Sequence, residues 1–296
     1  MNVLVSGATG MIGASITKAL EGSGHQVTRL TRSPKSDKDL GWDPENSRID
    51  GDLSGTDAVV HLAGESIAEG RWNAQKKARI LDSRVRGTRL LAETIARLPE
   101  PPRVMVSASA TGYYGDRGNE LLTEESAPGT SFIAGVCREW EAAAEPAREA
   151  GIRVVHPRIG IVLSTEGGAL AATLPIFKLG AGGRIGSGNQ YWSWISLDDV
   201  TGAILHAITT DSLQGPVNLT APEPPTNAAY TKVLGKVLGR PTILPLPAPA
   251  ARIALGEIAD ELLLASARVE PAKLKASGYE YRHPDLEGAF RHLLGR

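Results

Sequence analysis

The stretch Asn2-Val3-Leu4-Val5-Ser6-Gly7-Ala8-Thr9-Gly10-Met11-Ile12-Gly13 decides the fold. Its first five residues read as a short apolar strand. Ala14-Ser15-Ile16-Thr17-Lys18-Ala19-Leu20, which follows, reads as a helix. Gly7 allows a tight turn that a side chain would obstruct. Gly10 lets backbone approach a pyrophosphate, and Gly13 lets the new helix lie flat on the strand. The helix N-terminus then offers unpaired N–H groups and a positive dipole end to the phosphates. Strand, glycine turn and helix in immediate succession predict a dinucleotide site, the plainer reading being an ordinary glycine-rich turn.

Working outward, Val27 to Thr31 reads as a second strand, ending Leu30-Thr31-Arg32-Ser33. A dinucleotide fold that binds NAD places an acidic residue at this strand end, on the ribose 2′-hydroxyl. No acid stands there. Arg32 and Ser33 suit a 2′-phosphate, which a carboxylate would repel and a guanidinium binds bidentately. NADP(H) is therefore expected over NAD, against the plainer reading of Arg32 as a solvated loop charge. Arg29 is the weaker candidate.

Further strands are expected at Gly41-Trp42-Asp43, Arg48-Ile49-Asp50, Ala58 to Leu62, Arg103 to Ser107 and Ile152 to His156, with helices at 74–98 and 131–148. Alternation of strand and helix over the first half predicts a doubly wound parallel sheet. Leu81, Val85, Thr88, Leu91 or Ala92, Ile95 and Leu98 give the first long helix its inward face. Arg84, at the edge of that face, needs an anion: a carboxylate, a cofactor phosphate or a substrate group. Glu65 follows the small residues Ala63-Gly64 at a strand tip, and serves as an acid/base, a ribose contact or a surface carboxylate. Ser109, Tyr113 and Tyr114 crowd the end of another strand, where open α/β sheets bind ligands. Past Pro157 the pattern loosens: Gly180 to Gly188 is glycine-dense, 235–249 reads as loop, and the tail has helical stretches near 252–266 and 285–294.

The totals bound the partners. A chain of 296 residues with net charge −1 carries no electrostatic signature of nucleic acid or membrane. Cys137 is the single cysteine, so no intrachain disulfide or cysteine metal cluster forms, no metal is expected, and a cytoplasmic setting fits. The first strand reads as fold rather than as a signal peptide, and no apolar run is long enough for a bilayer. The expected partner is a small-molecule substrate, with the chain a monomer or homodimer.

Several motifs together resemble the extended short-chain dehydrogenase/reductases of sugar-nucleotide epimerase type. They are Gly7-x-x-Gly10-x-x-Gly13, His61-Leu62-Ala63-Gly64, Gly87-Thr88, and Ser109-Ala110-Thr111 before Tyr114-Gly115. A closer match is the epimerase-family branch, on Ser83-Arg84, Cys137-Arg138-Glu139-Trp140-Glu141, Gly182-Gly183, Ser193-Trp194-Ile195, Asp198-Asp199 and Leu262 to Pro271. The resemblance implies a Rossmann-type α/β fold with a smaller C-terminal α+β substrate lobe. The cofactor domain is placed at 1–160, with 190–220 returning to it. The lobe takes 161–296, including a C-terminal module from about 240. The implied cofactor set is Gly7, Thr9, Gly10, Met11, Ile12, Gly13, Thr31, Arg32, Ser33, Leu62, Ala63, Gly64, Glu65, Arg84, Ser107, Pro157 and Arg158. Trp140, Gln190, Trp192 and Arg268 are placed toward substrate, and Ser109, Tyr113, Tyr114 and Glu65 toward catalysis. The family's Tyr-x-x-x-Lys pair, which exchanges the substrate proton, is missing. Anchoring on Glu141 puts Ile133 and Cys137 in its place, and a one-residue slip gives Ala134 and Arg138; Cys137 is either a thiol or a small buried residue. The expected function is an NADP-dependent oxidoreductase or epimerase on a small carbonyl or alcohol. The alternative is a non-catalytic NADP(H)-binding redox sensor or regulator.

Overall fold

The computed structural model describes residues 1–296. Strands β1 (Asn2–Ser6), β2 (Gln26–Thr31), β3 (Asp39–Asp43), β4 (Arg48–Asp50), β5 (Ala58–His61), β6 (Val104–Ser107) and β7 (Ser109–Ala110) come first, then β8 (Leu121–Leu122) and β9 (Arg153–Ile159). β10 (Ile161–Leu163), β11 (Trp194–Ser196), β12 (Gly215–Leu219) and β13 (Arg268–Val269) follow. The helices are α1 (Met11–Gly22), α2 (Ala74–Ala96), α3 (Phe132–Ala142), α4 (Glu145–Glu149), α5 (Gly168–Lys178), α6 (Leu197–Thr209), α7 (Asn227–Leu238), α8 (Ala248–Leu255), α9 (Ala272–Ala276) and α10 (Leu286–Leu294).

The main sheet runs β12-β9-β6-β5-β1-β2-β3-β4, with β7 paired to β9. All its pairings are parallel except β3 with β4. The order reverses between β1 and β5, and the crevice at such a switch point is where doubly wound sheets take their ligand. Both faces of the sheet are covered. Val3, Val5, Val60 and Val106 pack with Ile16 and Leu20 of α1 and Ile204 of α6. Leu4, Val59 and Met105 pack with Leu91 and Ile95 of α2 on the other face. Strands buried on both faces read as continuous apolar runs, which is why Asn2–Ser6 and Ala58–His61 were legible.

A third cluster builds the C-terminal lobe from Trp192, Trp194, Tyr230, Leu234 and Phe290. Here the structure departs from expectation. The loop placed at 235–249 begins later, because α7 runs to Leu238 and ends at Gly239 in the left-handed region (φ +64°). The helix expected at 252–266 is cut at Gly256 (φ +64°) into α8 and a π-turn over Ala259–Leu264. The stretch 131–148 is likewise two helices, α3 ending near Ala143 and α4 starting with Pro146 in its first turn. On α2 the buried face includes Lys76 and Ile80 in place of Leu81 and Val85. Of the segment 190–220, α6 and β12 pack on the main sheet, whereas β11 pairs with β10 apart from it.

Candidate functional site

The carboxyl ends of β1, β5, β6 and β9 meet at the crevice. Gly7 holds φ +71°, and a Cβ there would stand 2.8 Å from the Leu62 carbonyl carbon and 2.9 Å from the Ala63 nitrogen. A Cβ on Gly13 would stand 2.1 Å from the Gly7 oxygen. The turn is thus closed by backbone against backbone. Gly10 caps α1 without any side-chain bond, and α1 has no acid in its first turn. The other three helices of twelve or more residues are capped by Asn73, Ser196 and Thr226. A helix end left uncapped under a glycine turn offers its N–H groups to an anion, so the cradle fits a dinucleotide pyrophosphate.

The residues flanking the cradle differ in how they are engaged. Arg29 is tied to Asp39 at 2.7 Å, while Arg32 and Ser33 are exposed at the end of β2 beside Thr31, and Arg32 makes no ion pair. Arg84 donates to the Glu65 and Ile80 carbonyls at 3.0 and 3.1 Å and stacks over the Trp140 ring at 4.9 Å. No carboxylate forms an ion pair with Arg84, whose bonds within the chain go to carbonyls. A Cβ on Gly64 would touch this guanidinium at 3.2 Å, which places Arg84 at the tip of β5. The Glu65 carboxylate bonds Lys76 at 2.8 Å and lies 3.5 Å from Arg79; the Lys76 bond first, then both cations, hold its pKa below the ordinary 4.5. Ser107 at the end of β6 is fully buried with no partner for its hydroxyl.

Beside the crevice lies a buried polar chain. Ser109 Oγ donates to Glu141 Oε1 at 2.7 Å, and Arg158 grips both Glu141 oxygens, Nε and Nη2 each at 2.9 Å. Arg158 Nη1 donates to the Tyr114 hydroxyl at 3.0 Å, and Tyr114 donates to Asn218 Oδ1 at 2.7 Å. The Arg158 guanidinium lies 3.4 Å above the Tyr113 ring. Burial alone would lower the Arg158 pKa, but the Glu141 bonds and charge raise it above its ordinary value. Tyr114 is corrected from its expected place at the lip: it is fully buried, and burial pushes its hydroxyl up to about 12 despite Arg158. Cys137 donates to the Ala110 carbonyl at 3.8 Å, and burial, then the Glu141 charge, pushes its thiol up to about 12.

The substrate set divides. Trp140 is buried under Arg84, its indole N–H unpaired. Gln190 and Trp192 belong instead to the lobe. Gln190 donates to the Ile185 and Leu263 carbonyls, Trp192 donates to Leu263, and the Trp192 ring packs on Tyr230. Arg268 is exposed over the Tyr191 ring at 5.2 Å. Sequence reasoning missed Glu141 and Asn218. The signal for Glu141 was present: it lies four residues after Cys137 on the buried stripe of α3, and an acid on a buried stripe needs a partner.

Fold and cradle together define a nicotinamide-dinucleotide-binding protein of the short-chain dehydrogenase/reductase class. The chain belongs to the NAD dependent epimerase/dehydratase family, whose sequence model matches residues 3–219. A second model, described as a domain of unknown function (DUF1731), matches residues 246–293. The epimerase family protein of Mycobacterium tuberculosis is 42% identical over 296 residues, covering 99% of this chain and 98% of its own. That of cattle, SDR39U1, is 38% identical over 298 residues, covering 99% and 100%. The crystal structure of human SDR39U1 (isoform 2) with NADPH superposes with a TM-score of 0.94 at 36% identity, covering 100% of this chain and 99% of the other.

Proposed function

We propose that this chain is an NADP(H)-dependent oxidoreductase acting on a small carbonyl or alcohol, with Ser109 holding the reacting oxygen in place of the absent tyrosine. The observation that carries the cofactor half is the uncapped start of α1 under the Gly7–Gly13 turn, next to an unpaired Arg32. Arg32 and Ser33 take the 2′-phosphate, and Met11 and Ile12 offer backbone N–H groups to the pyrophosphate. Arg84 binds an anionic group of cofactor or substrate. Bound NADP(H) would supply or accept the hydride. The chain's own task is to orient the carbonyl and handle one proton. Ser109 is fixed for the first task by Glu141, itself fixed by Arg158. Tyr114 and Cys137 are buried with their protons already directed at Asn218 Oδ1 and the Ala110 carbonyl, so the proton exchanged with the carbonyl oxygen comes from water.

A second reading, a non-catalytic NADP(H) sensor, is favoured by one observation: Ser109 is 3% exposed and its proton is already directed at Glu141. The two readings share cofactor binding and part on turnover. Titration with NADPH and NADH should give tighter NADPH binding, with the preference reduced about tenfold or more in Arg32→Ala. Equal affinities in both proteins would overturn the 2′-phosphate assignment. Carbonyl-dependent NADPH oxidation should fall in Ser109→Ala and recover in part in Ser109→Thr. Tight NADPH binding with no oxidation across carbonyl classes would leave the sensor reading. Ser109→Ala is the informative variant, because Glu141→Gln leaves the buried Arg158 charge unpaired at a cost of about 3–5 kcal/mol.

A further inference from the structure

Six histidines are present. His61 is fully buried, His156 is half-buried, His25 lies near the N-terminal amine, and His206 bonds Ser277. The remaining two converge on one carboxylate that the site above does not use. Asp198, in the first turn of α6, presents Oδ2 at 3.0 Å from His292 Nε2 and at 3.3 Å from His283 Nε2. The imidazoles stack with centroids 4.3 Å apart and planes 28° off parallel. One donor atom from each of the three residues lies within 4.8 Å of the other two.

The three groups come from separate elements, and each is held from outside the cluster. His283 is positioned through its backbone: its N–H donates to Asp199 Oδ2 at 3.0 Å, and that of Arg282 to Asp199 Oδ1 at 2.7 Å, Asp199 being fully buried. His292 rides on α10, whose start is capped by Asp285. Asp198 is fixed by the first turn of α6, capped by Ser196. Two imidazole nitrogens and a carboxylate oxygen thus converge from three directions. They match three corners of a metal's coordination shell. At Zn–N and Zn–O lengths near 2.0–2.1 Å, the ligand atoms of a tetrahedral zinc stand about 3.3 Å apart.

We propose that Asp198, His283 and His292 bind a divalent transition-metal ion, zinc, with the fourth position open to water. Two imidazoles and a carboxylate favour zinc over magnesium or calcium, which prefer all-oxygen shells. The ion ties α6 to the segment between α9 and α10, which carries His283, and to α10 itself.

The test uses full-length protein without an affinity tag, stripped with chelator and titrated with zinc chloride by calorimetry and cobalt chloride by visible absorption. One ion per chain is expected, with the intense cobalt bands of a four-coordinate site and a higher Tm at saturating zinc. His292 is half-exposed, so His292→Ala keeps the metal-free fold, checked by an unchanged Tm after stripping. It should lose about 100-fold or more in zinc affinity, more than outer-shell changes usually cost. Asp198→Asn should weaken binding likewise. No zinc binding by the native chain, or binding equal in both variants, overturns the site and leaves a hydrogen-bonded cluster.

Discussion

At the scale of single residues, His61 shows how a side chain under the site sets a property of the whole. Its Nδ1 lies 2.6 Å from Ser6 Oγ, its Nε2 has no partner, and Trp42 closes over it edge-on. Burial drives its pKa from 6.5 to about 4. In the unfolded chain the ring takes a proton below 6.5, whereas the folded chain refuses it until about 4. Stability is therefore complete above that range and falls as pH drops through it, by about 3 kcal/mol in all. His156, lowered chiefly by burial, acts in the same direction. Depressed carboxylates such as Glu65 and Glu287 weaken only below their ordinary 4.5, so the interval from 6.5 down to 4.5 isolates the histidines. Urea unfolding at several pH values should show this slope, and His61→Gln should flatten it; an unchanged slope would remove His61 from the account. Glu141 and Arg158 illustrate what one chain of letters withholds. Each reads alone as an ordinary charge, and only the packing of α3 against β7, which pairs with β9, brings them together.

At the scale of elements, the turn between β1 and α1 makes two separable demands. Gly13→Ala drives a Cβ into the Gly7 carbonyl, an atom that cannot swing aside. It should cost about 1–3 kcal/mol of stability as well as cofactor binding. Gly10 has φ −74°, and its Cβ would meet only the Gly7 oxygen at 3.4 Å. Gly10→Ala should therefore keep a near-native Tm yet bind NADPH poorly, because the methyl occupies the path of the pyrophosphate. Thermal melts beside NADPH titrations check the pair, and equal affinities for Gly10→Ala and the parent would refute the reading of Gly10. Elements of this first half were legible because buried parallel strands and their helices follow strict apolar rules. Those of the second half were less so. β10 and β11 span three residues each, β8 and β13 two, and α5 carries Pro175 in its interior. Gly235 read as a loop start, yet it lies inside α7 where the Thr242 methyl and the Arg240 carbonyl leave no room for a Cβ.

At the scale of the molecule, the C-terminal module is fastened by polar groups as well as by apolar packing. Asp199 receives the Arg282 and His283 N–H groups and the Tyr279 hydroxyl. Glu124 accepts from the Asn218 and Lys273 N–H groups, and Asn218 Nδ2 donates to the Glu270 carbonyl. Asp199→Ala strands the two N–H groups and the Ser196 hydroxyl, while Tyr279 keeps the Asp199 carbonyl, for a loss of about 2–4 kcal/mol. Hydrogen exchange should then quicken over 279–283 before it does in the main sheet; uniform quickening would mean that the module does not open separately. Tyr114 hands the Arg158 chain on to Asn218, so the polar chain beside the crevice is continuous with this fastening.

That continuity has an evolutionary consequence. A tyrosine at 133 and a lysine at 137 would not by themselves supply the missing pair. Ile133 now rests so close to Gly112 that a Cβ there would stand 2.4 Å from its methyl, and Cys137 is walled in under the Ala110 carbonyl. A lysine at 137 would place a second cation one helical turn from Glu141, whose two oxygens already belong to Arg158. Installing the pair demands coordinated change at Arg158, Tyr114 and Asn218 too, so the polar chain makes the departure costly to undo one substitution at a time.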